Sequence, residues 1–283
     1  MENFLTLGKL YIVATPIGNL EDMTLRGIRI LKEVDLIAAE DTRHTGKLLK
    51  HFEIETPQIS YHEHNSRLRS QELLSKLAQG INIALVSDAG MPGICDPGSK
   101  LIASAIAVGC DIIPIPGVSA SITALVTSGL ATDRFVFEGF LPTQGKPRKE
   151  RLKELKNEVR TIILYEAPHR LLTTLKDLAT VFGQERSLVL GRELTKIHEE
   201  FWRGDFQSAI ALYTERSKPK GEYTLIIAGS QPESDLIMSE EEIKAELAQL
   251  LQQGMTRSQA CRYLAEQTSL SRRQIYQLTV NSY

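Results

Sequence analysis

The stretch SDAGMPGICDPGS at residues 87–99 puts three glycines, two prolines, two aspartates and a cysteine directly behind the apolar run of residues 81–86. Glycine lets a ligand approach the main chain closely, and proline stiffens the loop that receives it. Two further loops of this kind follow apolar runs, TPIGN at 15–19 and PGVSA at 116–120. Any one of them reads as ordinary turn chemistry. Together, at one edge of one sheet, they would line a rigid pocket with backbone. An acidic residue at a strand end, here Asp88, accepts hydrogen bonds from a ribose or an amino group. An acidic pair, Glu40-Asp41, also begins immediately after an apolar run. It reads either as site chemistry or as a helix N-cap, which Asp41 or Thr42 would supply.

Two phosphate-binding signatures are missing: GxGxxG does not follow the first strand, and GxxxxGK[ST] does not occur. The pocket therefore suits a nucleoside-like small molecule without a triphosphate.

The elements that must position these loops alternate. Residues 10–14, 36–39, 81–86 and 112–115 read as buried strands, with helical patterns over 22–34, 71–77 and 100–108. Such alternation predicts a parallel sheet covered on both faces, with ligands beyond the carboxyl ends of its strands. After Gly129, strands are expected at 135–137, 161–165, 187–190, 199–202 and 223–227, with a hairpin through Arg203-Gly204-Asp205. These more widely spaced strands predict a second, mixed sheet. Residues 231–238 read as a polar linker. Beyond it, Ser239-Glu240-Glu241-Glu242 forms a capping box before three short helical patterns that resemble a helix-turn-helix unit.

A chain of 283 residues exceeds one ordinary core. Its 42% hydrophobic and 24% charged residues and net charge of −2 describe a soluble globular protein without a forced electrostatic partner. Charge is nevertheless uneven. Residues 142–160 hold seven basic side chains against three glutamates, and residues 255–283 hold four arginines against one glutamate. Two basic islands point to an anionic partner, or else to solvated helix faces. Three scattered cysteines without a CxxC pair argue against a disulfide framework and a zinc site, and suit a reducing cytoplasm. No signal peptide or membrane span is expected.

Eight ordered motifs, VATPIGNLEDMT, AEDTRHT, SDAGMPGICDPG, IPGVSA, FEGFLP, YEAPHR, RELTKIHEE and KGEYTL, together resemble the ribosomal RNA small-subunit methyltransferase I family, of the tetrapyrrole-methylase-like superfamily. Cys95 stands where that family more often has serine or asparagine, a change expected to matter little. The resemblance implies two α/β domains of the tetrapyrrole-methylase type, at 1–118 and 119–232, with a small C-terminal all-α helix-turn-helix-like appendage at 233–283. It implies S-adenosylmethionine as cofactor, bound between the domains, no metal, and methylation of a cytidine 2′-hydroxyl in the decoding region of small-subunit ribosomal RNA. The partner would be that RNA or the assembled subunit, and the protein a cytoplasmic homodimer. A tetrapyrrole-type small-molecule methylase shares the fold and is the alternative. A non-catalytic nucleic-acid-binding regulator is a third reading.

Carried onto this sequence, the cofactor contacts are Pro16, Asp88, Gly90, Met91, Asp96, Ser119 and Ala120, with Glu166, Glu193, Leu194 and Gly221 contributing or supporting from the second domain. Removing a hydroxyl proton calls for a base or a cationic stabiliser. Asp41, Arg43, Glu193 and Lys196 are the candidates, with His44 and His198 in the same clusters. His169, at a helix start, reads as structural. Lys146, Arg148 and Lys149, and Arg272 and Arg273 near the C-terminus, are the candidate RNA contacts.

Overall fold

The computed structural model describes residues 7–216, 219–230, 239–268 and 270–280. The expected linker at 231–238 lies outside them. By internal contacts the chain divides into two compact units, Met1–Gly229 and Ser230–Tyr283.

The first unit opens with β1 (Leu10–Val13), α1 (Leu25–Glu33), β2 (Leu36–Ala39), α2 (Thr42–His51), β3 (Gln58–Ser60), α3 (Ser66–Ala78), β4 (Ile83–Val86), α4 (Ser99–Ala107) and β5 (Ile112–Ile115). These strands form a parallel sheet in the order β3-β2-β4-β1-β5. Strand side chains alternate between two apolar layers. Leu10, Ile12, Ile83 and Leu85 pack with Leu73, Leu77 and Leu101 on one face. Val13, Ala84 and Val86 pack with Ile30 and Leu31 on the other. All four residues of β2 and of β4 are buried because both faces are covered. The three-residue edge strand β3 is half-buried and carries no apolar run, so the sequence pattern passes over it.

The chain continues through α5 (Ala120–Ser128), β6 (Phe135–Phe140), α6 (Gly145–Leu155), β7 (Thr161–Glu166), α7 (Leu171–Phe182), β8 (Ser187–Arg192), β9 (Glu200–Asp205), α8 (Phe206–Glu215) and β10 (Tyr223–Ile227). The second sheet runs β6-β7-β10-β8-β9 and is mixed, as expected: β6 and β7 are parallel, the remaining pairs antiparallel. Helices α6, α7 and α8 cover one face. Ala124 and Leu125 of α5 cover the other, against Ile163, Val189 and Ile226.

The hairpin expected at residues 203–205 is not there. Those residues are the end of β9, paired with β8 from Arg192↔Glu200 to Ser187↔Asp205. The turn is the polar loop 193–199 instead. Gly204 reads as a turn signal, but without a side chain it leaves room for the Trp202 ring and the Ser208 hydroxyl.

The second unit holds α9 (Glu240–Gln252), α10 (Arg257–Gln267) and α11 (Arg272–Val280) around Ile243, Leu247, Cys261, Leu264 and Ile275. Ser239 caps α9 in the expected box with Glu242, and Thr256 does the same for α10 with Gln259. Among the described residues no helix is long and apolar enough to cross a membrane.

Candidate active site

The strand order brings the three glycine-bearing loops together, because β4, β1 and β5 are neighbours. Loop 15–19 and loop 87–99 are tied by two backbone hydrogen bonds, each of 2.9 Å, in which the Thr15 and Gly90 N–H groups donate to each other's carbonyls. The Thr15 hydroxyl donates to the Ser87 carbonyl at 3.0 Å. Gly90 sits at φ +77°, a left-handed conformation that a side chain would strain. Gly117 of the third loop rests on Ala14, where a Cβ would come within 2.7 Å of the alanine methyl.

Two adjoining cavities lie at this rim. The smaller, about 220 Å³, has Gly90, Met91, Asp96, Ser119 and Ala120 on the first-sheet side and Tyr165, Tyr223 and Thr224 on the second. The larger, about 590 Å³, is lined by Pro16, Asp88, His44, Lys47 and Lys196. Ile17, Ala89 and Glu222 line both. No lysine or arginine lines the smaller cavity. A space walled by Gly90, a thioether, aromatic rings and two carboxyls fits a neutral or cationic nucleoside, and offers nothing to a phosphate chain. S-adenosylmethionine, with its sulfonium, adenosine and no phosphate, matches that donor set.

Carboxyl groups crowd the same rim. The Glu40 carboxylate accepts from the Asp88 N–H at 3.2 Å, and the Asp88 carboxylate accepts from the Asp41 N–H at 3.2 Å. Burial and the neighbouring Glu40 and Asp88 push Asp96 up to about 6, and burial raises Glu40 as well. Asp41 is the N-cap of α2, accepting from the Arg43 N–H at 2.8 Å, so the capping reading holds. The Arg43 side chain also donates to it and holds its carboxyl well below the usual range. Neither residue lines either of these two cavities.

On the second-sheet side the loop 193–199 is held under strain. Glu193 (φ 50°) and Thr195 (φ 65°) occupy left-handed backbone, and so does Cys95 (φ 61°) in the smaller cavity. Each such non-glycine residue costs about 1–3 kcal/mol and persists where its surroundings enforce it. Gly221 makes room here: a Cβ on it would lie 2.4 Å from the Glu193 side chain. Lys196 donates to Glu193 at 2.9 Å and to Glu222 at 3.1 Å, and the Glu222 N–H donates to Glu193 at 3.0 Å. Burial pulls the Lys196 amine down, but the two carboxylates outweigh it and the net shift is upward. Lys196 therefore stays an ammonium at neutral pH. Burial likewise raises Glu193, but hydrogen bonds from Lys196 and the Glu222 N–H leave it lowered. The Asn19 N–H donates to the Thr195 hydroxyl at 3.1 Å and the Ser121 N–H to the Tyr165 phenol oxygen at 3.1 Å, fastening the two sheets' loops together.

Several expected site residues are elsewhere. Glu166 is a correction: it is 2% exposed, accepts from the Thr174 hydroxyl at 2.5 Å, and reaches neither cavity. Successive strand residues face opposite ways. Its neighbour Tyr165 takes the cavity wall. Leu194 is a buried member of the core beneath α5. Arg148 is also corrected. Its side chain is 8% exposed and donates to Asp177 (2.8 Å), the Pro142 carbonyl (3.0 Å) and Thr174 (2.9 Å), so it faces inward and not toward a nucleic acid. Lys146, Lys149, Arg272 and Arg273 are exposed. His44 is exposed on the larger cavity, while His198 and His169 are exposed away from both. Tyr165, Glu222, Tyr223 and Thr224 were missed by the sequence reading although they sit inside YEAPHR and KGEYTL. Only the register of β10 against β7, Thr224↔Tyr165, shows that two of them share a wall.

Three comparisons place this arrangement. Residues 9–210 match the family model for Tetrapyrrole (Corrin/Porphyrin) Methylases. A ribosomal RNA small subunit methyltransferase I from Synechocystis is 63% identical over 97% of this chain and 98% of its own length. Its namesake from Bacillus subtilis is 43% identical over 95% of this chain and 93% of its own. Among solved structures, uroporphyrin-III-C-methyltransferase from Thermus thermophilus has a TM-score of 0.56 at 20% identity, covering 78% of this chain and 94% of its own. A cobalt precorrin-4 methyltransferase has a TM-score of 0.58 at 16% identity, covering 78% and 94%. The structural likeness carries the fold, and the sequence likeness carries the family: the chain belongs to the tetrapyrrole methylases and, within them, to the ribosomal RNA small subunit methyltransferase I family.

Proposed function

We propose that this protein is an S-adenosylmethionine-dependent methyltransferase acting on the 2′-hydroxyl of a cytidine in the decoding region of small-subunit ribosomal RNA. The observation that carries the reading is the pair of adjoining cavities, one free of cations and one holding Lys47 and Lys196. A phosphate-free donor suits the first, and a nucleotide acceptor suits the second. The names of relatives up to 63% identical supply the substrate class.

Held in the smaller cavity by Met91, Asp96 and Tyr165, S-adenosylmethionine would supply an electrophilic methyl group to the acceptor hydroxyl, whose proton would pass to solvent. The chain's own task is positioning and exclusion of water. Gly90 and Ala120 offer close backbone approach, and Met91 and Tyr165 offer apolar and aromatic walls. Asp96, and Asp88 at the rim, accept from amino or hydroxyl groups. Lys196 stays charged, so it stabilises negative charge developing on the attacking oxygen and does not take the proton. Glu193 and Glu222 hold it in place. Asp41 and Arg43 act by fixing the start of α2, which brings His44 and Lys47 to the wall. Lys146, Lys149, Arg272 and Arg273 serve phosphates. A homodimer working in the cytoplasm on ribosomal RNA or the assembled small subunit completes the reading.

The test is incubation with methyl-labelled S-adenosylmethionine and, in parallel, small ribosomal subunits, naked ribosomal RNA and tetrapyrrole precursors. Label in RNA at a cytidine 2′-oxygen is expected, and label on the tetrapyrrole alone overturns the proposal. Truncation before Ser239 is expected to reduce RNA labelling more than cofactor affinity.

A further inference from the structure

A third cavity, of about 300 Å³, opens beside the smaller one and shares Phe140 with it. Phe140 is 51% exposed. Arg151 lines the same cavity, its guanidinium pinned by three hydrogen bonds of 2.6–2.8 Å to Glu138 and one of 2.6 Å to Glu154. The Glu138 side chain is 7% exposed, so the anchor is buried while the arginine, at 41%, keeps a face open. A half-exposed aromatic ring and a fixed planar guanidinium are the two surfaces on which unpaired bases stack.

Helix α6 carries the rest of the argument, because its residues sort into three stripes by helical spacing. Arg148, Leu152 and Leu155 point into the core. Pro147, Glu150, Arg151 and Glu154 line the cavity. Lys146, Lys149 and Lys153, joined by Lys156 at the cap, occupy an exposed third stripe. The lysine stripe borders the cavity stripe. A phosphate backbone therefore has a cationic track next to a hole lined by Glu138, Glu150 and Glu154 against one arginine, a balance that disfavours a phosphate. What enters such a hole is a neutral ring carrying N–H donors.

From this geometry we infer that the Phe140–Arg151 cavity binds one unpaired, amino-bearing base of the substrate RNA, outside the reacting nucleotide, while the strand's phosphates follow the lysine stripe of α6. The inference rests on the RNA reading given above. It assigns Arg151 the contact that the sequence suggested for Arg148.

The experiment uses the full-length protein and a small-subunit RNA fragment that the wild type methylates, made abasic at one unpaired position at a time. One abasic position outside the modified nucleotide is expected to weaken wild-type binding about 10-fold. Arg151→Ala is expected to bind the intact RNA about 10-fold more weakly and to lose nothing further at that position. Arg151→Lys should not restore binding, because an ammonium has no flat face. Glu154→Trp, at a surface site, should fill the cavity and weaken RNA binding without lowering the unfolding temperature. Cofactor affinity measured by calorimetry should be unchanged in all three. Full affinity in Arg151→Lys, or an undiminished abasic effect in both Arg151→Ala and Glu154→Trp, overturns the base site while leaving the methyltransferase reading intact. A wild type that labels no RNA fragment or subunit overturns both.

Discussion

The first sheet contributes to the site chiefly through main chain, whereas the second contributes through side chains held by strained loops. At the ends of β4, β1 and β5, Gly90 and Thr15 exchange backbone hydrogen bonds, and three tight loops bring Ile17, Gly90 and Ser119 to the smaller cavity. On the other side, Glu193 and Thr195 sit in left-handed backbone, Gly221 gives Glu193 its space, and Lys196 is clasped by two carboxylates. The difference assigns each side a task. On the proposed function, the backbone wall would recognise the cofactor, while the side-chain wall would set charge where an acceptor is activated.

The largest expected effect separates the two walls. Gly90→Val forces a branched side chain into φ +77° and should weaken cofactor binding about 10- to 100-fold, with a matching fall in methyl transfer, read by calorimetry and label incorporation. Gly221→Ala, by contrast, places a Cβ against Glu193 and loosens Lys196. Here kcat should fall about 10-fold with cofactor affinity kept within a few-fold. Equal loss of affinity in both variants would erase the distinction between the walls.

The comparison also explains what the sequence made legible. Glycine and proline at the ends of apolar runs mark backbone-built loops directly, so residues 87–99 and 116–120 were readable one by one. That they converge depends on the strand order β4-β1-β5, which no local pattern states. The side-chain wall was harder. Glu166 and Tyr165 are adjacent in one motif, and only the pleat decides that the tyrosine faces the cavity and the glutamate the core. Arg148 looked like its basic neighbours until the helix was placed, when spacing turned it inward to Asp177 and Thr174. Strain at Glu193 and Thr195 had no sequence signal, since neither residue is one that left-handed backbone favours. The turn expected at 203–205 failed because Gly204 serves packing against Trp202.

Smaller effects sharpen the second side. Arg148→Ala should lower stability by about 2 kcal/mol, by leaving the buried Thr174 acceptor and the partly buried Pro142 carbonyl and Asp177 carboxylate without its donors. Lys149→Ala should stay within about 0.5 kcal/mol. Thermal unfolding of the pair checks this, and equal shifts would contradict the inward placement of Arg148.

The smallest effect is one of pH. With Asp96 pushed up to about 6, the native protein keeps a proton that the unfolded chain, near 3.8, has already released. Stability present below that lower value is lost as pH rises through about 6, an effect that solvent reaching the carboxyl keeps small. Asp96→Asn should flatten this part of the profile, and Glu40, also raised, should leave a residual slope of the same sign. Denaturant titrations between pH 4 and 7, pH values chosen to bracket those ends roughly, would reveal an unchanged slope if Asp96 were ordinary.

The central claim is that the linked loops of the first sheet, closed by Tyr165, Tyr223 and Thr224, hold the methyl donor. A crystal structure with S-adenosylhomocysteine, the demethylated cofactor, tests it most directly. The account predicts density for the ligand against Gly90, Met91 and Asp96 on one side and Tyr165 on the other. Density at any other surface, with residues 87–99 merely turning the chain, would contradict it.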